Sequence, residues 1–334
     1  MTEIAATIQQ TFPDKTIVVV GDIVADQFLN GTISRVSREA PVFILRHDET
    51  LTLPGAAANA SANVASLGGK PIMIGCVGRD SASESLIEAL DNAGVDCSQI
   101  NVVAEMKTTR KLRVLAGQHY AARQQVIRID YENSIPHGQE VQDGLRSALA
   151  LVAPRADAII ISDYDYGTIF PEIVEDALSF SRDLNIPLIV DSRYRLQLMA
   201  NATTATPNRE EVEQILGSDF TSDQCAGLRK QLGYKALLVT NGNQGMSLFE
   251  QDKSEVRIPA VGSTEPVDVT GAGDTVIAAY ALALASGMTF EDAALIANHA
   301  GGIVVMKKGT AVAHASELID SIRNGPVSLY SHAK

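Results

Sequence analysis

The stretch Asp268-Val269-Thr270-Gly271-Ala272-Gly273-Asp274-Thr275-Val276 runs straight into an apolar segment that continues to Ser286. Small residues at a helix start let backbone N–H groups converge on an anion, at the positive end of the helix dipole. A carboxylate at Asp274 opposes such an anion electrostatically. Its presence makes chemical sense if it takes a proton from an attacking hydroxyl while a phosphate sits on Gly271, Ala272 and Gly273. The same residues would also serve as a glycine turn whose aspartate caps a helix. Asn208 and Glu211, in Thr206-Pro207-Asn208-Arg209-Glu210-Glu211, have the spacing of a capping box. Several other chemistries lack their residues. There is no GxxxxGK[ST] loop, no HExxH, no GxSxG and no Cys/His cluster, and Gly21-Asp22-Ile23-Val24 is not the GxGxxG of a dinucleotide fold.

Stepping out from Asp274, the elements that would position it read as an α/β chain. Ile17 to Val20 is a β-branched run of the kind buried on both faces, and Pro71 to Val77, Ala158 to Ile161, Pro187 to Val190 and Ala236 to Val239 repeat the pattern. Helical patterns at Ser81 to Ala93, Pro171 to Leu184, Asn208 to Leu216 and Ser222 to Leu232 separate most of them, and Gly273 to Lys307 reads as two apolar helices divided at Gly287. Alternation of this kind predicts a mainly parallel sheet covered by helices on both faces. Two stretches break it. Residues of about 28–53 and 108–131 read as strands without helices, predicting a small separate sheet that covers the crevice at the strand ends as a lid. One domain over residues 1–334, with two lid insertions, is the organisation expected.

Composition narrows the partners. Lys plus Arg is 27 against 40 Asp plus Glu, a net charge of −13, which repels a polyphosphate backbone over most of the surface and argues against nucleic acid as the main partner, while leaving room for a small anionic substrate at a local basic cluster. Cys76, Cys97 and Cys225 are too few and scattered for a disulfide framework, which suits a reducing cytoplasm. The first fifteen residues lack the pattern of a signal peptide, and the uncharged Thr50 to Gly69 is broken by Pro54 and polar residues, so no membrane association is expected. His299, in a late helix, is expected to be a packed or surface residue rather than a nucleotide contact.

The Asp268–Val276 segment resembles the second signature of the PfkB or ribokinase family of carbohydrate kinases, in which the glycines form an anion hole and the aspartate is the catalytic base. Pro54-Gly55-Ala56-Ala57-Ala58-Asn59 is similar to the first signature, where Gly55 and Asn59 hold the sugar; Ala56 stands where a second glycine is usual. The likeness extends over nearly the whole chain. It implies a ribokinase-like fold and ATP as phosphoryl donor. It also implies Mg2+ held through water by Asn208 and Glu211, and a monovalent cation such as K+. Asp26, after Gly21-Asp22-Ile23-Val24-Ala25, corresponds to an aspartate that binds sugar hydroxyls. Thr240, Gly242 and Gly245 match a turn lining the nucleotide pocket, and Asn298 and Gly309 fall where the family closes over adenine.

Within the family the segments around Arg38, Lys111 to Leu115, Gln124 to Asp130 and Ser162-Asp163-Tyr164 are most similar to kinases of D-glycero-β-D-manno-heptose 7-phosphate, which phosphorylate the anomeric oxygen. The likeness implies a sugar-phosphate acceptor held by Asp163 and by lid cations, of which Arg38 and Arg113 are the candidates, and a homodimer formed through the lid at Phe43 and Val126. Arg128 beside Asp130 reads instead as a solvated strand pair. Two departures leave another sugar or sugar phosphate open: Asp165-Tyr166-Gly167 where those kinases carry a lysine, and Asp191-Ser192-Arg193 where they carry Asp-Pro-Lys. A catalytically silent sugar-phosphate sensor on the same fold is the alternative of another class, and retention of Asp274, Asn208 and Glu211 argues against it. No His-x-Gly-His segment of a fused nucleotidyltransferase is present, so a second enzyme is expected to use the product.

Overall fold

In the computed structural model, whose described residues are 2–118, 123–132, 138–262, 265–325 and 331–332, the run Ile17–Val20 forms the centre of β1 (Thr16–Gly21). Ile17 and Val19 enter one apolar core while Val18 and Val20 enter another. A strand with a core on each face needs apolar residues at every position, which is why the run is continuous rather than alternating. The order continues with β2 (Ile23–Val36), β3 (Phe43–Ala56), α2 (Ala57–Ser66), β4 (Lys70–Gly78), α3 (Ser81–Asn92), β5 (Asp96–Val103), β6 (Arg110–Gly117), β7 (Gln124–Tyr131) and α4 (Gln139–Val152), after an initial α1 (Thr2–Gln10). Then follow β8 (Ala158–Asp163), α5 (Pro171–Leu184), β9 (Leu188–Ser192), β10 (Thr204–Ala205), α6 (Arg209–Leu216), α7 (Ser222–Gln231), β11 (Ala236–Thr240), β12 (Met246–Glu250) and β13 (Val256–Ile258). The last elements are α8 (Ala272–Ala285), α9 (Phe290–Val304), α10 (Ala315–Asn324) and β14 (Ser331–His332).

Among the described residues the main sheet has ten strands in the order β14-β13-β12-β11-β10-β9-β8-β1-β4-β5. Pairings from β5 across to β11 are parallel, and β12, β13 and β14 add on antiparallel. The chain leaves β1 toward β4 on one side and returns to β8 on the other. That reversal opens a crevice beyond the carboxyl ends of β1 and β8, the place where open α/β sheets bind ligands. Helix α8 starts there; it packs on α2 and α9 and is apolar all round because neighbours cover it. No described helix is long and apolar enough to cross a membrane.

The predicted small sheet is present, in the order β3-β2-β6-β7. Its strands run further than expected at the first stretch, from Ile23 and to Ala56, and residues 119–122 of the second lie outside the described residues. The pairing of β2 with β6 is parallel, while the two outer pairs are antiparallel. This parallel seam joins the two stretches and sets Asp26 beside Lys111 and Phe28 beside Arg113.

At the end of β3, Ala56 has φ 54° and ψ −131°, a backbone conformation in which a Cβ is crowded. Such strain costs on the order of 1–3 kcal/mol, of which a glycine returns part to its larger unfolded-state entropy. Ala56→Gly is therefore expected to stabilise the protein by about 1 kcal/mol and raise its thermal midpoint. An unchanged or lower midpoint would show that the turn carries no usable strain.

Candidate active site

Asp22, buried just past β1, accepts the backbone N–H groups of Tyr164 at 2.8 Å, Tyr166 at 3.1 Å and Thr168 at 3.0 Å. These bonds fix the loop that leaves β8, which turns through positive φ at Asp165 and Gly167. The loop delivers the Tyr164 hydroxyl to Asp274 Oδ1 at 2.8 Å. From α2 the Asn59 amide donates to the other oxygen, Oδ2, also at 2.8 Å. Asp274 lies in the first turn of α8 and is 3% exposed, so its carboxylate is solvated by these donors rather than by water. Burial pushes its pKa up to about 6; the Asn59 and Tyr164 hydrogen bonds and the Lys111 charge pull it down, and the nearby Asp26 charge pushes it up. A buried carboxyl that ionises just below neutral pH is suited to accept a proton at neutral pH.

The helix start beneath Asp274 depends on glycine. Gly271 has φ 78°, and a Cβ there would lie 2.5 Å from the Asn59 amide nitrogen. Open space lies over Gly273, where a Cβ would meet nothing within 4 Å. A second asparagine, which sequence reasoning missed, braces the first. Asn63 donates to Asn59 Oδ1 at 3.2 Å and accepts from Thr275 Oγ1 at 3.0 Å and the Ala313 N–H at 3.1 Å. The signal was its place one helical turn after Asn59, on the same face.

On the small-sheet side, Asp26 is buried and accepts from Arg113 Nη1 at 2.5 Å and from Thr310 Oγ1 at 2.9 Å. Gly55 leaves room for that carboxylate, since a Cβ there would lie 2.8 Å from Asp26 Oδ2. Arg113 is therefore already committed to Asp26 and stacks over Phe28 at 5.3 Å. Arg38 is not brought to the site. It is exposed in the turn between β2 and β3, and at about 3.3 Å per strand residue that tip lies roughly 30 Å from Asp26 along β2. Asp163 is buried and occupied: Arg195 holds both of its oxygens, and Ser192 Oγ donates to it at 2.6 Å. It braces the loop after β9 instead of standing free for a ligand.

Two cations that sequence reasoning left in the background converge instead. Lys111 Nζ lies 5.7 Å from the Tyr164 ring and 5.9 Å from the Tyr166 ring, and the Arg193 guanidinium lies 5.6 Å from Tyr164. Among the described residues neither side chain has a hydrogen-bonded carboxylate partner. Burial lowers the pKa of Lys111, and the neighbouring Arg193 and Arg113 charges add to this against the opposing pull of Asp26 and Asp130. Arg128 pairs with Asp130 at 2.9 Å on an exposed strand, as the solvated reading expects.

Beyond Gly271–Gly273 the crevice divides into two joined parts. One is walled by Met246, Val261, Val276 and Val305 and edged by Thr240, Gly242, Gly245 and Asn298, so it gathers four of the expected nucleotide residues. Gly309 is not among them. Its N–H donates to Asp268 Oδ2 at 2.9 Å and it packs under Phe28, which sets it on the small-sheet side of the turn. The other part is polar, a cavity of about 440 Å3 lined by Asp191, Arg193, Asn208, Glu211 and the same glycines. Asn208 and Glu211 form a reciprocal capping box, with bonds of 2.8 and 3.0 Å, so the capping expectation holds. Burial raises the Glu211 pKa, and burial with the charges of Glu211, Asp274 and Asp163 raises that of Asp191 well above the carboxylate range. A pocket of carboxylates in mutual repulsion is one a divalent cation would relieve, and oxygen donors suit Mg2+. His299 is fully buried, with Nδ1 2.8 Å from Ser321 Oγ, the packed one of the two placements expected.

A buried carboxyl on a glycine-bounded helix start, at the switch point of this sheet and beside a smaller sheet, is the architecture of a ribokinase-like carbohydrate kinase. The sequence profile of the pfkB family carbohydrate kinases matches residues 14–316, and the chain belongs to that family, phosphotransferases with an alcohol group as acceptor. The bifunctional protein HldE of Caulobacter vibrioides is 36% identical over 327 residues, covering 95% of this chain and 65% of that protein. That of Nitrosococcus oceani is 38% identical over 314 residues, covering 92% and 64%. The chain thus spans a little under two thirds of the length of these relatives. Among solved structures, Arabidopsis thaliana ribokinase complexed with ribose and ATP superposes with a TM-score of 0.69 at 20% identity, covering 93% of this chain and 99% of that one. Escherichia coli phosphofructokinase-2 in complex with potassium gives 0.72 at 18% identity, covering 92% and 98%.

Proposed function

We propose that this chain transfers the γ-phosphoryl group of ATP to a hydroxyl of a sugar phosphate, the acceptor being the anomeric hydroxyl of a heptose 7-phosphate and the product its 1,7-bisphosphate. The observation that carries the reading is Asp274, held by two donors close to Lys111 and Arg193, with a polar cavity that Arg193 also lines leading to an apolar cleft. In the step, the acceptor O–H gives its proton to Asp274 and its oxygen forms the bond to the γ-phosphorus. The bond from that phosphorus to the bridging oxygen breaks, and the electron pair leaves on ADP. The similarity to the bifunctional HldE proteins, with the heptose-kinase likeness of the lid segments, supports the heptose assignment.

The apolar cleft edged by Thr240 and Asn298 suits a purine, and its junction with Gly271–Gly273 suits the phosphates. Mg2+ would be held by Asn208 and Glu211 through water, where it would neutralise the phosphate oxygens. A monovalent cation beside the glycine turn belongs to the same reading. Asp26, Gly55 and Asn59 form the acceptor's polar wall. Arg38 and Arg113 are replaced as phosphate-binding candidates by Lys111 and Arg193, because one of the former is remote and the other is neutralised. The four-stranded sheet acts as a lid on a single kinase domain. Its exposed Phe43 (57%) and Val126 (48%), on the two outer strands, are the residues proposed for a homodimer seam. Sedimentation equilibrium giving a monomer at micromolar concentration would remove that seam.

The test is an assay of purified protein with ATP, with and without Mg2+, across D-glycero-β-D-manno-heptose 7-phosphate, fructose phosphates, ribose, fructose and nucleosides. The highest kcat/KM is expected for the heptose phosphate, in a Mg2+-dependent reaction. A better unphosphorylated sugar would sink the acceptor assignment, and no turnover of any sugar would favour the sensor.

A further inference from the structure

Tyr164 reaches the reacting carboxyl although its neighbour in sequence, Asp163, was the residue singled out as a ligand. Its backbone is fixed by Asp22 and its hydroxyl ends 2.8 Å from Asp274 Oδ1, on the side of the carboxylate not taken by Asn59. A carboxylate whose two oxygens are each held from a different element cannot rotate about its terminal bond without breaking a buried hydrogen bond. We propose that Tyr164 is a positioning residue for phosphoryl transfer: its hydroxyl, opposed by the Asn59 amide, locks the plane of the Asp274 carboxylate so that an unshared lone pair points at the acceptor hydroxyl. The inference rests on the kinase reading given above.

The surroundings keep this hydroxyl a donor. Burial, then the charges of Asp274 and Asp191, raises the Tyr164 pKa well above its ordinary value, with Arg193 opposing. Tyr164 therefore keeps its proton throughout the cycle and passes none on. The charged groups facing the pair are Asp26 of β2, itself bound to Arg113, Lys111 of β6, Asp191 of β9 and Arg193 just beyond it. None of them replaces the hydroxyl, because the remaining donor to Asp274 is the uncharged Asn59 on the other oxygen. The bond is charge-assisted while Asp274 is ionised and weakens when it is protonated, so it favours the ionised base. Lys111 and Arg193 lie against the ring, whereas the lock depends on the oxygen alone. The two contributions are thus separable by removing one atom.

Tyr164→Phe keeps the ring, its packing and both cation contacts. In this variant the acid limb of the kcat/KM profile is expected to move up by on the order of one pH unit. At pH 8, where the base is ionised in either protein, kcat is expected to fall by roughly tenfold from lost orientation, with acceptor KM little changed. An acid limb that coincides with wild type would overturn the proposal and leave Tyr164 as a wall for the sugar. A readout independent of turnover separates this from failure of the kinase reading. With 13C-labelled aspartate, the Asp274 carboxyl carbon should titrate at higher pH in Tyr164→Phe than in wild type. Equal midpoints would overturn the lock even for a protein that phosphorylates nothing, and a higher midpoint with no turnover would sink only the kinase reading.

Discussion

Asp274→Asn is expected to lower kcat by on the order of a thousandfold while leaving the KM values for ATP and acceptor within a few-fold, and to make the protein more stable. The loss follows if Asp274 is the proposed acceptor of the hydroxyl proton, since removing a general base typically costs about 10²–10⁴. The substrate contacts proposed for Asp26, Asn59 and the glycine turn are untouched by the substitution, so binding should survive. The stability gain comes from the same burial that tunes the base. A carboxyl that ionises near 3.8 in the unfolded chain and near 6 in the fold leaves the protein most stable below 3.8, and stability is lost as pH rises through 6. Holding Asp274 ionised thus costs about 3 kcal/mol at neutral pH. An asparagine can be accommodated, because its oxygen accepts from Asn59 and its NH2 donates to a Tyr164 hydroxyl rotated to accept. Kinetics and thermal melts at pH 7.5 check both halves. Retained activity would refute the base, and a lower midpoint would refute the claim that the fold is strained by a charge kept for catalysis. In wild type, kcat/KM should rise with pH through about 6.

How far the sequence carried this reading depends on whether a residue's job is local. The strands β1, β8, β9 and β11 announce themselves because each sits between two cores and must be apolar at every position. β5 did not, because it is an edge strand whose residues are half-exposed and alternate weakly. α4 was missed although Leu145, Ala148, Leu149 and Val152 carry a helical stripe, with Gly144 interrupting the pattern. β10 has two residues and owes its existence to β9 and β11 on either side. The short glycine turn before α8 was legible because Gly271 needs positive φ, and a Cβ there would crowd Asn59.

Side chains whose partners lie far along the chain were misjudged. Asp163 stands beside Tyr164 at the end of β8, and nothing local says that the acid turns to Arg195 and the phenol to Asp274. That division is made by Asp22, a residue 142 positions before Tyr164, whose carboxylate fixes the loop. Arg38 could have been set aside from arithmetic alone. β2 is 14 residues long, about 45 Å of extended chain, so a hairpin tip built on it cannot also reach the crevice of its own subunit. Arg113 was chosen for its charge, yet the parallel register of β2 and β6 sets it beside Phe28, from where its side chain reaches back to Asp26 and that charge is spent.

The same register makes the last expected result specific. Lys111 and Arg193 meet at the Tyr164 ring without a hydrogen-bonded carboxylate partner among the described residues, in a chain whose net charge is −13. Two like charges gathered at one ring repel, and an anion bound between them would turn that repulsion into attraction. A phosphate leaving water needs such partners, each charge-assisted contact contributing about 1.5–3 kcal/mol. Lys111→Met and Arg193→Met should therefore each lower kcat/KM for the phosphorylated acceptor by roughly 10- to 100-fold, and the double variant by on the order of a thousandfold. The dephosphorylated heptose should fall only a few-fold, so the preference for the phosphate collapses. Both variants keep the apolar stem that packs on the ring, and thermal melts check that they fold. Loss of both acceptors in parallel would assign the two cations to the transferred phosphoryl group instead. An unchanged preference in the double variant would remove them from acceptor recognition. Arg113→Met differs in kind, since it strips Asp26 of its counter-charge and should weaken both acceptors alike.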